Sequence, residues 1–187
     1  VAGGRVGHAP TGPLSRDYDD VRRVGDAARA GIVRAREAGA RSPLLLLDAG
    51  ASSFPEALNV AVLSALAGLW EPLEAREARG EAEVEPVERI GLAGKNAPEV
   101  ARVAYALELG RRLARDLCGT EPERMRPEAF AASCVDAFLD TNVSIRVIED
   151  LDTLGYQFPM LMAVARASLV VERHRPRVVH LEYVGEG

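Results

Sequence analysis

One long amphipathic segment constrains the fold of this 187-residue chain more than any other feature. Between residues 96 and 118, apolar residues recur at helical spacing and form a stripe of Val100, Val103, Leu107, Gly110, Leu113 and Leu117. A helix of this length spans roughly 33 Å, which is enough to cross between two domains. We therefore predict an amino-terminal α/β domain over 1–96, a linker helix over 97–118 and a second domain over 119–187.

The amino-terminal part alternates strand and helix patterns. Arg5–His8 is a candidate strand, and a helix is predicted over 17–38, with an apolar face of Val21, Val24, Ala28, Ile32 and Ala35. Gly39 supplies the left-handed conformation that ends a helix. The apolar run Leu44–Leu47 is typical of a strand covered on both faces. The order strand, helix, strand predicts parallel pairing.

Two pairs of residues have capping-box spacing, Ser53 with Glu56 and Asn96 with Glu99. The second pair opens the linker helix, and the first opens a helix that ends near Trp70. The inner face of that earlier helix is predicted to consist of Leu58, Ala61, Val62, Ala65, Leu66 and Leu69.

The stretch Glu71–Glu88 is acidic and lacks helical apolar periodicity for most of its length. We predict a solvated loop here, with an acidic docking segment as the alternative. Val87–Leu92 is a candidate return to the sheet.

The remaining residues continue the alternation. Pro127 suits a first helical turn, with a buried face of Phe130, Ala131, Cys134, Val135 and Phe138. Strands are predicted over Val143–Ile148 and Val178–Val184, with short helices over Asp150–Gly155 and Pro159–Arg166. The predicted fold class is therefore α/β, with a mixed, largely parallel sheet flanked by helices.

Composition excludes several classes of partner. A hydrophobic content of 48% with 27% charged residues is typical of globular proteins, and no apolar run approaches the roughly 20 residues of a membrane span. The formal charge of −5 argues against nucleic acid. Cys118 and Cys134 fall at apolar helix positions and are predicted to be reduced core residues, which favours a cytoplasmic location.

The second half contains a distinctive order of short motifs. They are Arg115-Asp116-Leu117, Thr120, Pro122, Met125, Pro127-Glu128-Ala129-Phe130-Ala131, Val147-Ile148-Glu149 and Ala163-Val164-Ala165-Arg166-Ala167-Ser168. Their order and spacing, over roughly Glu99 to Val184, resemble the start of the catalytic domain of cytosolic leucine aminopeptidases. Gly119 departs from the family's asparagine, and Ala165 and Ala167 replace the glycines of a Gly-x-Gly-Ser turn, so the chain resembles a divergent member.

The resemblance implies an amino-terminal domain, a linker helix and a truncated first part of a catalytic domain, with the amino-terminal domain incomplete at its start. Family members remove amino-terminal residues from peptides with two divalent metal ions, zinc or manganese, and assemble as hexamers. The expected partners are thus the rest of the catalytic domain, identical subunits and peptide substrates, without nucleic acid or membrane.

The catalytic signatures of the family, Gly-Lys-Gly and Asn-Thr-Asp-Ala-Glu-Gly-Arg, do not occur in this sequence. We therefore assign no catalytic, cofactor-binding or metal-binding residue to this chain, and expect the metals and the chemistry beyond it. The alternative is a non-catalytic relative that acts as a structural or interaction component.

Two segments are candidate nucleotide-binding sites. Gly94-Lys95-Asn96 resembles part of a phosphate-binding loop, but Arg89 replaces the required glycine and Asn96 the required Ser or Thr, so a helix cap explains it better. A nucleotide-binding module in the first half would use the loop Asp48–Ser53, because parallel α/β sheets bind ligands at the ends of their strands.

The remaining candidate side chains have structural explanations. His180 and Glu182 project to one face of a strand, but a metal site needs further ligands. His174 is expected in an exposed charged loop, and His8 has no evident partner. Negative charge is favourable in the first turn of a helix, which accounts for Asp17, Asp19 and Asp20.

Overall fold

The structure, a computed structural model, describes residues 4–48, 53–80 and 85–185. The chain forms two compact units, Val1–Cys118 and Gly119–Gly187, called unit 1 and unit 2 below. The described ranges contain seven α-helices and four β-strands, and the mixed α/β class predicted from the sequence is confirmed. None of these helices combines the length and the apolar character that a bilayer crossing requires.

Unit 1 is built on one pair of parallel strands. β1 (Leu44–Leu46) runs parallel to β2 (Gly91–Ala93), with Leu45 opposite Leu92. Leu45 packs against the helices of the unit, whereas the first and third leucines of β1 are 67% and 70% exposed. For the described residues, the prediction that this strand is covered on both faces is therefore wrong, because the core clusters contact the side that Leu45 faces.

The amino-terminal segment also differs from its prediction. Arg5–His8 is not a strand, and β1 pairs with β2 instead. The segment lies along α1 (Arg22–Glu37): Arg34 Nη1 donates to the carbonyl of His8 and Arg5 Nη1 to the carbonyl of Ala38, both at 3.0 Å. A helix side chain, rather than a neighbouring strand, thus satisfies the His8 carbonyl.

α1 and α2 (Ala57–Leu69) form the centre of unit 1. Their packed faces agree with the predicted ones over most positions, and the buried residues of the two helices are Val24, Gly25, Ala27, Ala28, Ile32, Ala57, Ala61, Val62, Ala65 and Leu69. Small residues allow the helices to approach closely: a Cβ on Gly25 would lie 2.5 Å from Ser64 Oγ.

The ends of these helices are less well predicted. α1 begins at Arg22, not near Asp17, although Gly39 has the expected positive φ of 78° after its end. α2 begins at Ala57, preceded by Glu56 in the left-handed conformation and without a side-chain cap. The capping prediction for Ser53 is therefore wrong.

A third helix, α3 (Leu73–Arg79), occupies part of the stretch that was predicted to be a solvated loop. The loop prediction is wrong there. α3 buries none of its residues, so it has no apolar face whose periodicity could reveal it. Val87, later in the same stretch, is 7% exposed and packs in the core beside α1 and α2.

α4 (Ala97–Gly119) is the long helix predicted from the sequence, and it begins directly after Asn96 as expected. Its buried residues are Val100, Ala104 and Glu108. The predicted apolar stripe is wrong in the middle of the helix, where Leu107 is 49% exposed and Gly110 is exposed. The inward positions are taken by Ala104, which packs against α2, and by Glu108, which forms ion pairs.

The described part of unit 2, residues 119–185, contains three α-helices, two strands and a short 3-10 turn. In chain order these are α5 (Pro127–Phe138), β3 (Val143–Ile148), α6 (Leu151–Gln157), α7 (Pro159–Ala165), the turn Glu172–His174 and β4 (Val178–Tyr183). β3 and β4 pair antiparallel, with Val143 opposite Tyr183. Asp150 caps α6 by accepting a hydrogen bond from the Thr153 amide at 2.8 Å.

The sequence predicts only in part which residues of α5 and which cysteines are buried. Ala131 and Cys134 are buried, whereas Phe130 and Val135 are 40% and 37% exposed. Both cysteines are free thiols, but Cys118 is exposed, so its prediction as a core residue is wrong.

Candidate functional site

The pair His180 and Glu182 was the candidate metal site on a strand. In β4, His180 lies opposite Arg146 and Glu182 opposite Ser144, on an exposed face. An arginine beside the histidine disfavours a cation. Among the residues that the structure describes, no three His, Cys, Asp or Glu side chains could hold a metal ion together. The described residues therefore do not bring together, by themselves, enough of these side chains to hold a metal ion.

His174 lies in the 3-10 turn of unit 2 and has a partner. Its Nε2 is 3.3 Å from Glu123 Oε2, and Arg173 pairs with the same carboxylate. Hydrogen bonds from Arg173 and then His174 hold the pKa of Glu123 below its usual range. The three side chains are 38–54% exposed, so this cluster tethers the loop after α4 to the turn.

The three aspartates near the amino terminus precede α1 rather than forming its first turn. Asp19 accepts from the Arg16 backbone at 3.0 Å and from its guanidinium at 2.9 and 2.8 Å. These bonds lower the Asp19 pKa to about 2. Asp20 accepts from the Arg22 amide at 2.9 Å. Both carboxylates therefore shape the turn that leads into the helix.

A cleft of about 660 Å³ lies at the carboxyl ends of β1 and β2. Gly94-Lys95-Asn96, which joins β2 to α4, forms one side, and residues around Phe54 form another. Asn96 has φ 58°, as the turn before the helix requires. Glu99, also in the lining, is paired with Arg102 at 2.6 Å. The loop Asp48–Ser53 falls largely on residues 49–52, which lie outside the described residues, so the nucleotide hypothesis stays a prediction.

A cluster of polar side chains surrounds Asp116, in the last turns of α4. Trp70 Nε1 donates to Asp116 Oδ1 at 2.9 Å, and Arg76 Nη2 donates to Asp116 Oδ2 at 2.5 Å. The Arg115 guanidinium lies 5.5 Å from the centre of the Trp70 ring and also pairs with Glu108. We call these five residues the Asp116 cluster.

Sequence reasoning identified only part of this cluster. The motif Arg115-Asp116-Leu117 was singled out, but Trp70 and Arg76 precede Asp116 by 46 and 40 residues. No local pattern links side chains at such separations. The buried Glu108 was missed because it occupies a position where helical periodicity calls for an apolar residue.

In the turn Ala165–Ser168, two alanines stand where the aminopeptidase family has glycines. Among the described residues other than glycine, positive φ occurs at Glu56, Asn96 and Asp140 only. Ala165 and Ala167 are thus outside the left-handed region, and Ser168 closes the turn by donating to the carbonyl of Ala165 at 2.9 Å. The two alanines are compatible with the backbone of this turn.

Comparisons with known proteins agree on one family. Residues 112–187 match the catalytic domain of the cytosol aminopeptidase family. A putative aminopeptidase of Caenorhabditis elegans, W07G4.4, is 37% identical over 188 residues, which is 100% of this chain and 36% of that protein. The solved structure of the bottromycin maturation enzyme BotP in complex with Mn is similar with a TM-score of 0.71 and 26% identity, over 94% of this chain and 36% of that one. The chain thus spans 36% of the length of each relative.

Proposed function

We propose that the chain belongs to the cytosol aminopeptidase family and that it is the amino-terminal portion of a member that removes amino-terminal residues from peptides. The observation that carries this proposal is the 37% identity to a putative aminopeptidase along the whole chain. That identity extends through unit 1, well before the catalytic-domain match begins at residue 112. We propose that this enzyme prefers peptides whose amino-terminal residue is leucine.

We place the catalytic residues outside this chain. Two observations support the placement: the family's Gly-Lys-Gly and Asn-Thr-Asp-Ala-Glu-Gly-Arg segments are absent from the sequence, and the described residues contain no cluster of three or more His, Cys, Asp or Glu side chains that could hold a metal ion. Two divalent ions, manganese or zinc, would polarise the peptide carbonyl and activate a water in the complete site. The Mn complex of BotP supports manganese as the first metal to test.

Unit 2 would then be the beginning of the catalytic domain, with much of its apolar surface available to the rest. Tyr156, Met160 and Val164 are 88%, 84% and 80% exposed. In its described residues the sheet has two strands, and a pair of strands of this size is only marginally stable by itself in water. Both features support further strands and helices packing on this unit. Assembly with identical subunits, as a hexamer in the cytoplasm, completes the proposal.

The test uses a full-length protein that contains this sequence. We expect it to hydrolyse a leucyl chromogenic substrate when Mn²⁺ is supplied, and to lose activity on treatment with a chelator. The same substrate with a blocked amino group serves as the control and should not be cleaved. Cleavage of the blocked substrate, or a folded protein that is inactive with both Mn²⁺ and Zn²⁺, would contradict an aminopeptidase function.

The second candidate is a non-catalytic relative with a structural role. The replacement of two family glycines by Ala165 and Ala167 motivates it. The backbone of that turn weakens this argument, because neither alanine lies in a region that favours glycine. The metal-ligand positions of the full-length protein separate the two candidates: a missing lysine or carboxylate would favour the structural role.

A further inference from the structure

The family match and the packing of the chain divide α4 at different places. The match begins at residue 112, whereas unit 1 extends to Cys118. Residues 112–118 thus belong to the catalytic domain by sequence and to unit 1 by their contacts. Each charged side chain in this segment contacts residues that precede the match: Arg112 contacts Glu85, Arg115 contacts Glu108 and Trp70, and Asp116 contacts Trp70 and Arg76.

We infer that Asp116 is a positioning residue that anchors the first turns of the catalytic-family segment to α2 and α3. It acts through two partners, Trp70 at the end of α2 and Arg76 within α3. Its two carboxylate oxygens are divided between them, one accepting from the indole and the other from the guanidinium. A single side chain therefore fixes the end of α4 to two other helices.

The burial of these groups makes the anchor strong. The side chains of Arg76 and Asp116 are 14% and 19% exposed, so salt screens their attraction less than it would screen a surface pair. Removing the Asp116 charge leaves the Arg76 guanidinium partly buried without this counter-charge, which is more costly than losing a surface ion pair. α3 depends on this pair especially, because none of its residues is fully buried and residues 73–76 are only half-buried.

The inference gives the Arg115-Asp116 motif a mechanical role. Arg115 stacks on the Trp70 ring and Asp116 binds the Trp70 N–H, so both motif side chains hold the same indole. The inference rests on the proposed function only in treating residues 112–187 as a catalytic segment. The measurements below need no enzymatic activity. They can therefore contradict the role of Asp116 while the proposed function stands, and they can support that role even if the proposed function is wrong.

The test is the substitution Asp116→Asn in this chain, observed by hydrogen exchange and by fluorescence. We expect amide exchange in α3 to rise roughly tenfold, because asparagine keeps the shape of the side chain but not the charge that holds Arg76. Trp70 is the one tryptophan of the sequence, and its emission should shift to longer wavelength as its surroundings become wetter. Asp136→Asn, at an exposed position of α5, is the matched control and should change neither signal.

A second pair of variants tests the anchor from its other end. Arg76→Gln should also speed exchange in α3, and it should not prevent folding, since α3 contributes no buried residue to the core. Arg76→Lys keeps the charge and should restore slow exchange at least in part. Wild-type exchange in α3 for both Asp116→Asn and Arg76→Gln would overturn the inference, as would equal exchange in the lysine and glutamine variants.

Discussion

At the scale of single residues, the carboxylate of Asp19 stabilises the turn before α1 through its charge. Its side chain is fully enclosed, and it lies within salt-bridge distance of both Arg16 and Arg23. The hydrogen bond from Arg16 is the main cause of its lowered pKa, and burial opposes that effect in part. The turn before α1 therefore depends on this carboxylate remaining ionised.

We predict that Asp19→Asn reduces the acid sensitivity of unit 1. The folded pKa is about 2, below the unfolded value of about 3.9, so the carboxylate stabilises the fold fully above about pH 4. That contribution is lost as the pH falls towards 2. In thermal unfolding, the melting temperature of the wild type should fall more steeply than that of the variant over this interval. Equal slopes would show that the ion pairs of Asp19 do not stabilise the native state.

At the scale of secondary-structure elements, Gly25 at the contact between α1 and α2 has the least room for a side chain among the described glycines. A Cβ on Gly25 would lie 2.5 Å from Ser64 Oγ and 3.2 Å from Val60 Cγ1. Gly110 of α4 offers a natural comparison, because a Cβ there would meet no atom within 4 Å. Both glycines lie inside helices, so the intrinsic helix preference for alanine is the same at the two positions.

We predict that Gly25→Ala destabilises the chain by about 1–3 kcal/mol, because overpacking outweighs the gain in helix propensity. Gly110→Ala should instead stabilise it by up to about 1 kcal/mol. Urea unfolding of both variants measures the difference. If the two substitutions shift the midpoint in the same direction, the close approach of α1 and α2 at Gly25 is not a determinant of stability.

The elements also show which structure can be predicted from the sequence. β3 alternates apolar and polar residues, and its predicted bounds agree with the structure; α5 begins at Pro127 because proline suits a first turn. These features are local. The sequence did not reveal α3, which is held by a distant carboxylate, nor the exposed face of β1, which depends on where the helices pack. A local pattern cannot report a partner tens of residues away.

At the scale of the whole molecule, the similarity to a putative aminopeptidase extends over both units of the chain. The motifs from Arg115 to Ser168 indicated the aminopeptidases from the sequence, and the match to the family's catalytic domain over residues 112–187 includes all of them. The Asp116 cluster could not be identified in the same way, since three of its members lie before the motif and only folding brings them together. The match thus indicates ancestry, while the contacts indicate what the first motif does.

The most direct measurement is a calorimetric titration of Mn²⁺ into this 187-residue chain, with leucyl-substrate turnover assayed in the same samples. Our account predicts no stoichiometric binding of Mn²⁺ and no turnover, since it places the metal ligands and the chemistry outside the chain. Tight binding of one or two ions per chain, accompanied by hydrolysis of the leucyl substrate, would contradict it.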